Sequence, residues 1–544
     1  MIFDVYDTTL RDGTQQEGIN VSVADKLAIA QLIDELGVGY IEGGWPGAVP
    51  KDTEFFRRAA TELNLNNAVL AAFGATRHQG IAVDRDPQVK ALLDSQAPLI
   101  TLVGKSDSRH VERALKTTRA ENLAMIADTV AYLRGEGRRV VFDAEHFFDG
   151  YRADASYALE AVRVAFEAGA ETVCLCDTNG GMLPHWVYDI VSQVRQEVEG
   201  QLGPDQRLGI HAHNDTGCAV ANSLAAVRAG ARHVQGTLNG YGERTGNADL
   251  IAVVANLQIK NGMDLLGSKL SEATGIAHAV AEITNIAPFA RQPYVGASSF
   301  AHKAGLHASA IRVDPDLYQH TDPAAVGNDM RMLVSEMAGR ASVELKGREF
   351  GLDLAGEAQL LKDVTERVKQ AEAAGYTYDA ADASFELVLR EAMGIKPQYF
   401  EVESWRVIIE TVPGVSGSQA GPGPLAGHRG QAMAEATVKL RAGGVRSVTT
   451  GEGNGPVNSL DQALRDALTR SYPEIAKFEL IDYKVRILDA DRGTGSTTRV
   501  LVTTTDGCRQ WTCVGVGANL IEASWEALTD AYVFGLMQAQ VPIA

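Results

Sequence analysis

Eight short β-branched runs, each followed by an amphipathic stretch, fill the first half of the chain. This alternation constrains the fold more than any other feature. The strand-like runs begin near Phe3, Tyr40, Ala68, Leu99, Val140, Thr172, Leu208 and Val234. Between them apolar residues recur at helical spacing, as in Ala24 to Leu36, Asn122 to Leu133, Tyr157 to Glu167 and Val220 to Ala229. Gly37, Gly169 and Gly230 follow the last periodic residue of their stretches, where a left-handed cap suits glycine. Strands separated by helices pair in parallel. Eight such units in about 250 residues predict a (β/α)8 TIM barrel. A doubly wound open sheet is the alternative, but it usually has fewer strands, and no G-x-G-x-x-G follows the first run.

A barrel places chemistry at the C-terminal ends of its strands. Arg11 and Asp12 follow strand 1, and His211 and His213 end strand 7. Side chains two apart on a strand face the same way, so both imidazoles can point inward. The segment from Gly240 to Asn247 follows strand 8, and closure makes strands 7, 8 and 1 neighbours. Asp12, His211, His213 and Asn247 therefore converge on one arc of the rim. Mixed nitrogen and oxygen ligands with open positions suit a divalent metal such as Mg, Mn, Co or Zn, not a closed structural zinc site. Such a metal can chelate an α-keto acid and act as a Lewis acid. Arg11 either stabilises negative charge on the carbonyl oxygen or pairs with Glu17 or Asp215 at the barrel mouth. Glu42 and Glu145 stand near the ends of strands 2 and 5, where a carboxylate needs a partner or a task. Thr178, at the end of strand 6, offers a hydroxyl to a substrate carboxylate.

The strand-helix rhythm stops after the barrel, which is assigned residues 1–262. Residues 263–397 read as a helical linker, with helices over Ala358 to Ala374 and Ala383 to Met393. Its polar loop from Ser298 to Asp329 carries His302, His307, Tyr318 and His320. Residues 398–544 return to strands and contain an internal repeat. Val438 to Leu468 and Val500 to Ala531 each run strand, turn, strand, glycine-rich turn, helix. Two ββα units predict a small pseudo-symmetric α+β domain. Gly451 to Pro456 lacks the G-K-[ST] ending of a phosphate loop and reads as a tight turn before a helix. Gly417 to Gly430, rich in glycine and proline, reads as a loop within this domain.

The formal net charge of -19 argues against nucleic acid or an anionic membrane as partner. Five scattered cysteines form no disulfide framework, and Cys174 and Cys176 read as small core residues on a strand. The first strand starts at once without a leader, and no apolar run is long enough to cross a membrane, which suggests a cytoplasmic protein.

Four motifs in fixed order are similar to those of the α-isopropylmalate, homocitrate and citramalate synthase family. They are D-T-T-L-R-D-G-T-Q at 7–15, H-A-H-N-D at 211–215, G-x-G-E-R-x-G-N at 240–247 and A-G-L-H-A at 304–308. G-N-G-P-V-N at 453–458 resembles part of the family's allosteric domain. The segments Glu42 to Gly47 and Phe142 to Gly150 look closest to the citramalate-forming branch. Isopropylmalate-forming members typically carry S-A-E-D-A in the second place; here bulky His146, Phe147 and Phe148 follow the shared Glu145, consistent with a smaller pocket for pyruvate. The resemblance implies a metal held by Asp12, His211 and His213, with Asn247 a fourth or weaker ligand. Pyruvate's carboxylate would rest on Thr178 and its carbonyl would be polarised by Arg11. Acetyl-CoA would condense with it, and thioester hydrolysis would give (R)-citramalate and CoA on the way to isoleucine. Glu145 and His307 would take part in proton transfer, with Tyr318 in support. The family's linker reaches over a second copy's barrel, implying a homodimer, and its C-terminal domain implies inhibition by an amino acid, isoleucine above others. The rivals are 2-isopropylmalate synthesis, a metal-dependent lyase or aldolase, and a sensor that has lost activity.

Overall fold

Eight strands close into a parallel barrel in chain order. They are β1 (Asp4–Asp7), β2 (Tyr40–Glu42), β3 (Val69–Ala75), β4 (Leu99–Lys105), β5 (Arg139–Glu145), β6 (Thr172–Asp177), β7 (Arg207–Ala212) and β8 (His233–Gly236). This computed structural model describes residues 3–198, 200, 202–412 and 431–542. Each strand starts within one residue of its expected position. The pairing of β1 with β8, Asp4 opposite His233 through Asp7 opposite Gly236, completes the closure. Gly37, Gly169 and Gly230 take φ of 90°, 105° and 120°, the left-handed region expected of helix ends.

The barrel strands have two faces of different character. On β5, Val140, Phe142 and Ala144 face outward into the core shared with Ile126, Val130, Leu133, Ala158 and Val162 of the surrounding helices. Gly104 on β4 serves this layer, since a Cβ there would stand 2.6 Å from the Phe142 ring. Val141, Asp143 and Glu145 alternate to the inside. At the N-terminal end the interior is sealed by Tyr6, Ala71, Leu99 and Val141. Toward the C-terminal ends it turns polar, with buried Thr101, Asp143, His211 and Gln235. An apolar floor beneath polar walls can only be a site if the polar groups find partners.

The barrel belongs to a compact unit of Met1–Phe300 with Thr321–Met330, and a second unit comprises Ala301–His320 and Arg331–Ala544. The second unit opens with β9 (Ala301–His302), paired with β10 (Arg331–Met332). The helices Ala358–Ala373 and Asp382–Ala392 follow, one residue from their expected bounds. Two antiparallel sheets come next, in the orders β11-β12-β13 and β14-β15-β16. Their strands are β11 (Phe400–Val412), β12 (Gln431–Ala442), β13 (Val445–Gly453), β14 (Glu479–Ile487), β15 (Thr498–Thr505) and β16 (Gln510–Gly517). The helices Pro456–Thr469 and Leu520–Gln538 complete the repeats. Each ββα repeat thus carries an additional leading strand, β11 or β14. Phe385 and Leu389 of the linker helix share a core with Val514 of β16. The glycine- and proline-rich segment 417–430 lies wholly outside the described residues, within the stretch 413–430. Among the described residues no helix is long and apolar enough to cross a membrane.

Candidate active site

The turn after β1 folds Asp12 back over the barrel mouth. The amides of Arg11, Asp12 and Gly13 all donate to the carbonyl of Thr8 at 2.8–3.2 Å. Asp12 is 2% exposed, and its Oδ2 lies 3.1 Å from His211 Nε2 and 3.6 Å from His213 Nε2. One ligand atom from each of the three residues lies within 4.8 Å of the others. Burial alone would raise the Asp12 carboxyl, but the Arg11 charge and the two imidazoles outweigh it and hold it well below the usual range. Despite these neighbours, Asp12 Oδ2 accepts no hydrogen bond of proper geometry, and the buried Asn247 Oδ1 likewise has none. Two orphaned buried oxygens beside two imidazoles make a donor set that a divalent cation would satisfy. Asn247 is held there by an isolated backbone bridge to His213, and its Nδ2 donates to the Tyr241 carbonyl at 3.0 Å.

His213 and Asp215 share a partner in Arg244. Arg244 Nη2 approaches His213 Nδ1 at 2.9 Å, Nε donates to Asp215 Oδ1 at 2.7 Å, and Nη2 also reaches the Thr178 carbonyl at 2.9 Å. Asp215 is therefore not the partner of Arg11, and neither is Glu17. Arg11 Nε instead donates to Glu42 Oε1 at 2.5 Å, and its guanidinium lies 3.9 Å from the Phe73 ring centroid. The reason is register: β2 is the strand beside β1, so a carboxylate at its end meets Arg11 directly. Glu42 is fully buried and also accepts from Tyr6 OH at 2.8 Å. Its charge helps keep Arg11 protonated against a burial that works the other way.

A cavity of about 700 Å³ opens above this cluster, lined by Arg11, Asp12, Glu145, Thr178, His211 and His213 among others. Thr178 Oγ1 accepts from the His146 amide at 2.9 Å, which leaves its own hydrogen free to donate into the cavity. Glu145 Oε2 is in close contact with Lys105 Nζ, its register partner on β4. Lys105 and Arg244 are not singled out by the sequence motifs as members of the site. A charged residue at the end of a barrel strand, the signal that picked out Glu145, applies equally to Lys105. His307 and Tyr318 belong to the second unit, where their ring centroids are 4.1 Å apart.

Asp143, Cys174 and Cys176 also bring ligand atoms together. Burial raises both thiols, that of Cys176 to about 11, so they stay protonated and behave as the core residues expected of this strand.

The HMGL-like family model matches residues 3–280, the barrel and the helix after it. The chain belongs to the HMGL-like family. The rest of this HMGL-like chain matches a homocitrate synthase post-HMGL domain over 294–375 and the LeuA allosteric (dimerisation) domain over 379–535. It is 61% identical to an (R)-citramalate synthase of Streptomyces coelicolor, over 99% of this chain and 97% of the relative. It is 48% identical to the (R)-citramalate synthase of a Synechocystis species, over 98% and 96%. To that of Aquifex aeolicus it is 46% identical, over 98% of each chain.

Proposed function

We infer that this chain is a citramalate synthase, condensing acetyl-CoA with pyruvate and hydrolysing the thioester to release (R)-citramalate and CoA. The observation that carries the reading is the buried Asp12, His211 and His213 cluster beside Arg11, in a chain 61% identical to an (R)-citramalate synthase. Asp12, His211 and His213 would hold a divalent metal, with Asn247 a fourth or weaker ligand; the orphaned oxygens of Asp12 and Asn247 fit that demand. A bound divalent metal supplies Lewis acidity to the carbonyl of a 2-keto acid. Ligation through His213 Nε2 requires the ring hydrogen on Nδ1, so Arg244 must give up that nitrogen, which it can do while keeping Asp215.

Around that centre each residue has a task. Arg11, its Nε committed to Glu42, turns its remaining N–H groups to the carbonyl oxygen that gains negative charge as the carbon nucleophile attacks. Thr178 donates its hydroxyl hydrogen to the carboxylate of pyruvate. Glu145, oriented by Lys105, and His307 with Tyr318 in support, carry the proton transfers: the methyl of acetyl-CoA loses a proton and the new alkoxide gains one. Water then cleaves the thioester. The chain works as a homodimer in the cytoplasm, on the path to isoleucine, with three functional parts at 1–262, 263–397 and 398–544. The last part binds isoleucine and inhibits from a distance.

The test is CoA release from acetyl-CoA with Mg or Mn added, comparing pyruvate, 2-ketobutyrate and 2-ketoisovalerate. Turnover on pyruvate far above the others is expected. A preference for 2-ketoisovalerate would move the chain to 2-isopropylmalate synthesis.

A further inference from the structure

Beneath the cavity, three buried side chains from three strands form a chain of hydrogen bonds that the reaction as described leaves unused. Gln235 on β8 is fully buried and Asp143 on β5 is 3% exposed. Gln235 Nε2 donates to Asp143 Oδ1 at 2.8 Å, across the barrel interior. Gln235 Oε1 lies 2.9 Å from His211 Nδ1, on the neighbouring strand. An amide has one donating end and one accepting end. With its nitrogen committed to Asp143, the oxygen must face the imidazole, and Nδ1 must therefore carry a hydrogen. Burial brings the Asp143 carboxyl up to about 7. The pattern holds for the carboxylate and for the acid with its hydrogen on Oδ2, since Oδ1 accepts from Gln235 Nε2 in both. The Nε2 lone pair of neutral His211 is then left pointing toward Asp12 Oδ2, 3.1 Å away.

We propose that Asp143 and Gln235 are positioning residues: Asp143 fixes the direction of the Gln235 amide, and the amide holds His211 in the tautomer that ligates a metal through Nε2. The inference rests on the reading of Asp12, His211 and His213 as a metal centre. A reversed amide would present its NH₂ to Nδ1 and favour the tautomer with hydrogen on Nε2, which cannot ligate from that nitrogen. Outer partners of this kind typically change metal affinity about 10- to 100-fold. If Gln235 were only interior filling, a side chain of the same length would serve as well.

The experiment measures Mn(II) affinity of the full-length chain from the free-ion paramagnetic resonance signal. Gln235→Met keeps the length and removes both hydrogen bonds; it is expected to weaken binding about 10- to 100-fold. The pair Gln235→Glu with Asp143→Asn reverses donor and acceptor between the two positions while still turning an acceptor to His211, and it is expected to restore most of the affinity. Unchanged Mn(II) affinity in folded Gln235→Met, with only a lower melting temperature, would overturn the proposal. A wild-type chain that binds no Mn(II) would overturn the metal-centre reading and this proposal together. The wild type alone gives an independent measure that needs no folded variant. At alkaline pH, where the metal-free imidazole is neutral, ring-nitrogen NMR should find His211 with its hydrogen on Nδ1. A hydrogen on Nε2 would refute the mechanism even if affinity changed.

Discussion

Replacing Glu42 tests how the barrel holds a charge next to its chemistry. Glu42 is buried and bonded to Arg11 Nε at 2.5 Å, while Arg11 Nη1 is 3.4 Å from Asp12 Oδ1. Glu42→Leu removes the nearest anion and leaves Asp12. Breaking a buried pair by removing one partner costs about 3–5 kcal/mol. The remaining contact with Asp12 and the gain from burying leucine reduce this to about 2–4 kcal/mol. Tyr6 OH keeps Thr101 Oγ1 at 2.5 Å and adds little to the loss. The pair Arg11→Met with Glu42→Leu should recover to within about 1 kcal/mol of wild type, since an apolar pair of similar volume replaces a buried ion pair at little cost. Hydrogen exchange of the β1 and β2 amides under mild urea reports on the barrel separately from the second unit. Activity should follow a different order: CoA release falls about 100-fold in Glu42→Leu, because Arg11 loses the contact that aims it, and it is not rescued in the stable double variant. A single variant as stable as wild type, or a double variant no more stable than the single, would refute the reasoning.

Three further outcomes are expected. Asp12→Ala should abolish both Mn(II) binding and CoA release; product formation at the wild-type rate would remove the metal assignment. His146 sits in the left-handed region at φ 58° with its ring 3.8 Å from that of His110, and burial, assisted by His110, lowers it to about 4 against an ordinary 6.5. The unfolded chain takes up this proton first, so the stabilisation is complete above pH 6.5 and is lost as pH falls toward 4. For this ring, with its side chain 11% exposed, partial solvent screening leaves about 1–2 kcal/mol. His146→Asn, which tolerates the same backbone, should flatten that part of the urea stability profile between pH 7 and 4.5, and an identical profile would rule the contribution out. Deleting residues from Phe400 onward should abolish any inhibition by isoleucine. It should also expose Phe385 and Leu389, so that the helix Asp382–Ala392 loses its exchange protection; full protection there would show that the linker core stands without β16.

Much of the architecture was legible in the sequence because periodicity is a local property. A residue's place on a strand decides which face it takes, and that is readable without knowing the neighbour. The eight barrel strands and the helices Ala358–Ala373 and Asp382–Ala392 were readable on those terms. The leading strand β14 was not: it is largely exposed along its length and carries no clear apolar alternation. The convergence of Asp12, His211 and His213 also followed from sequence, since closure makes β7, β8 and β1 neighbours whatever the details of packing.

Partner choice is another matter. That Arg11 meets Glu42 and neither Glu17 nor Asp215, that Lys105 holds Glu145, that Arg244 reaches both His213 and Asp215, and that Gln235 spans the barrel to Asp143, are decided by strand register and by the geometry of the closed interior. Gln235 and Asp143 stand 92 residues apart. The sequence by itself determined which side chains face inward and near which strand end. Only the tertiary structure decided which of them touch, because a buried polar group takes whatever complementary partner closure brings within about 3 Å, and that distance depends on strands distant in the chain.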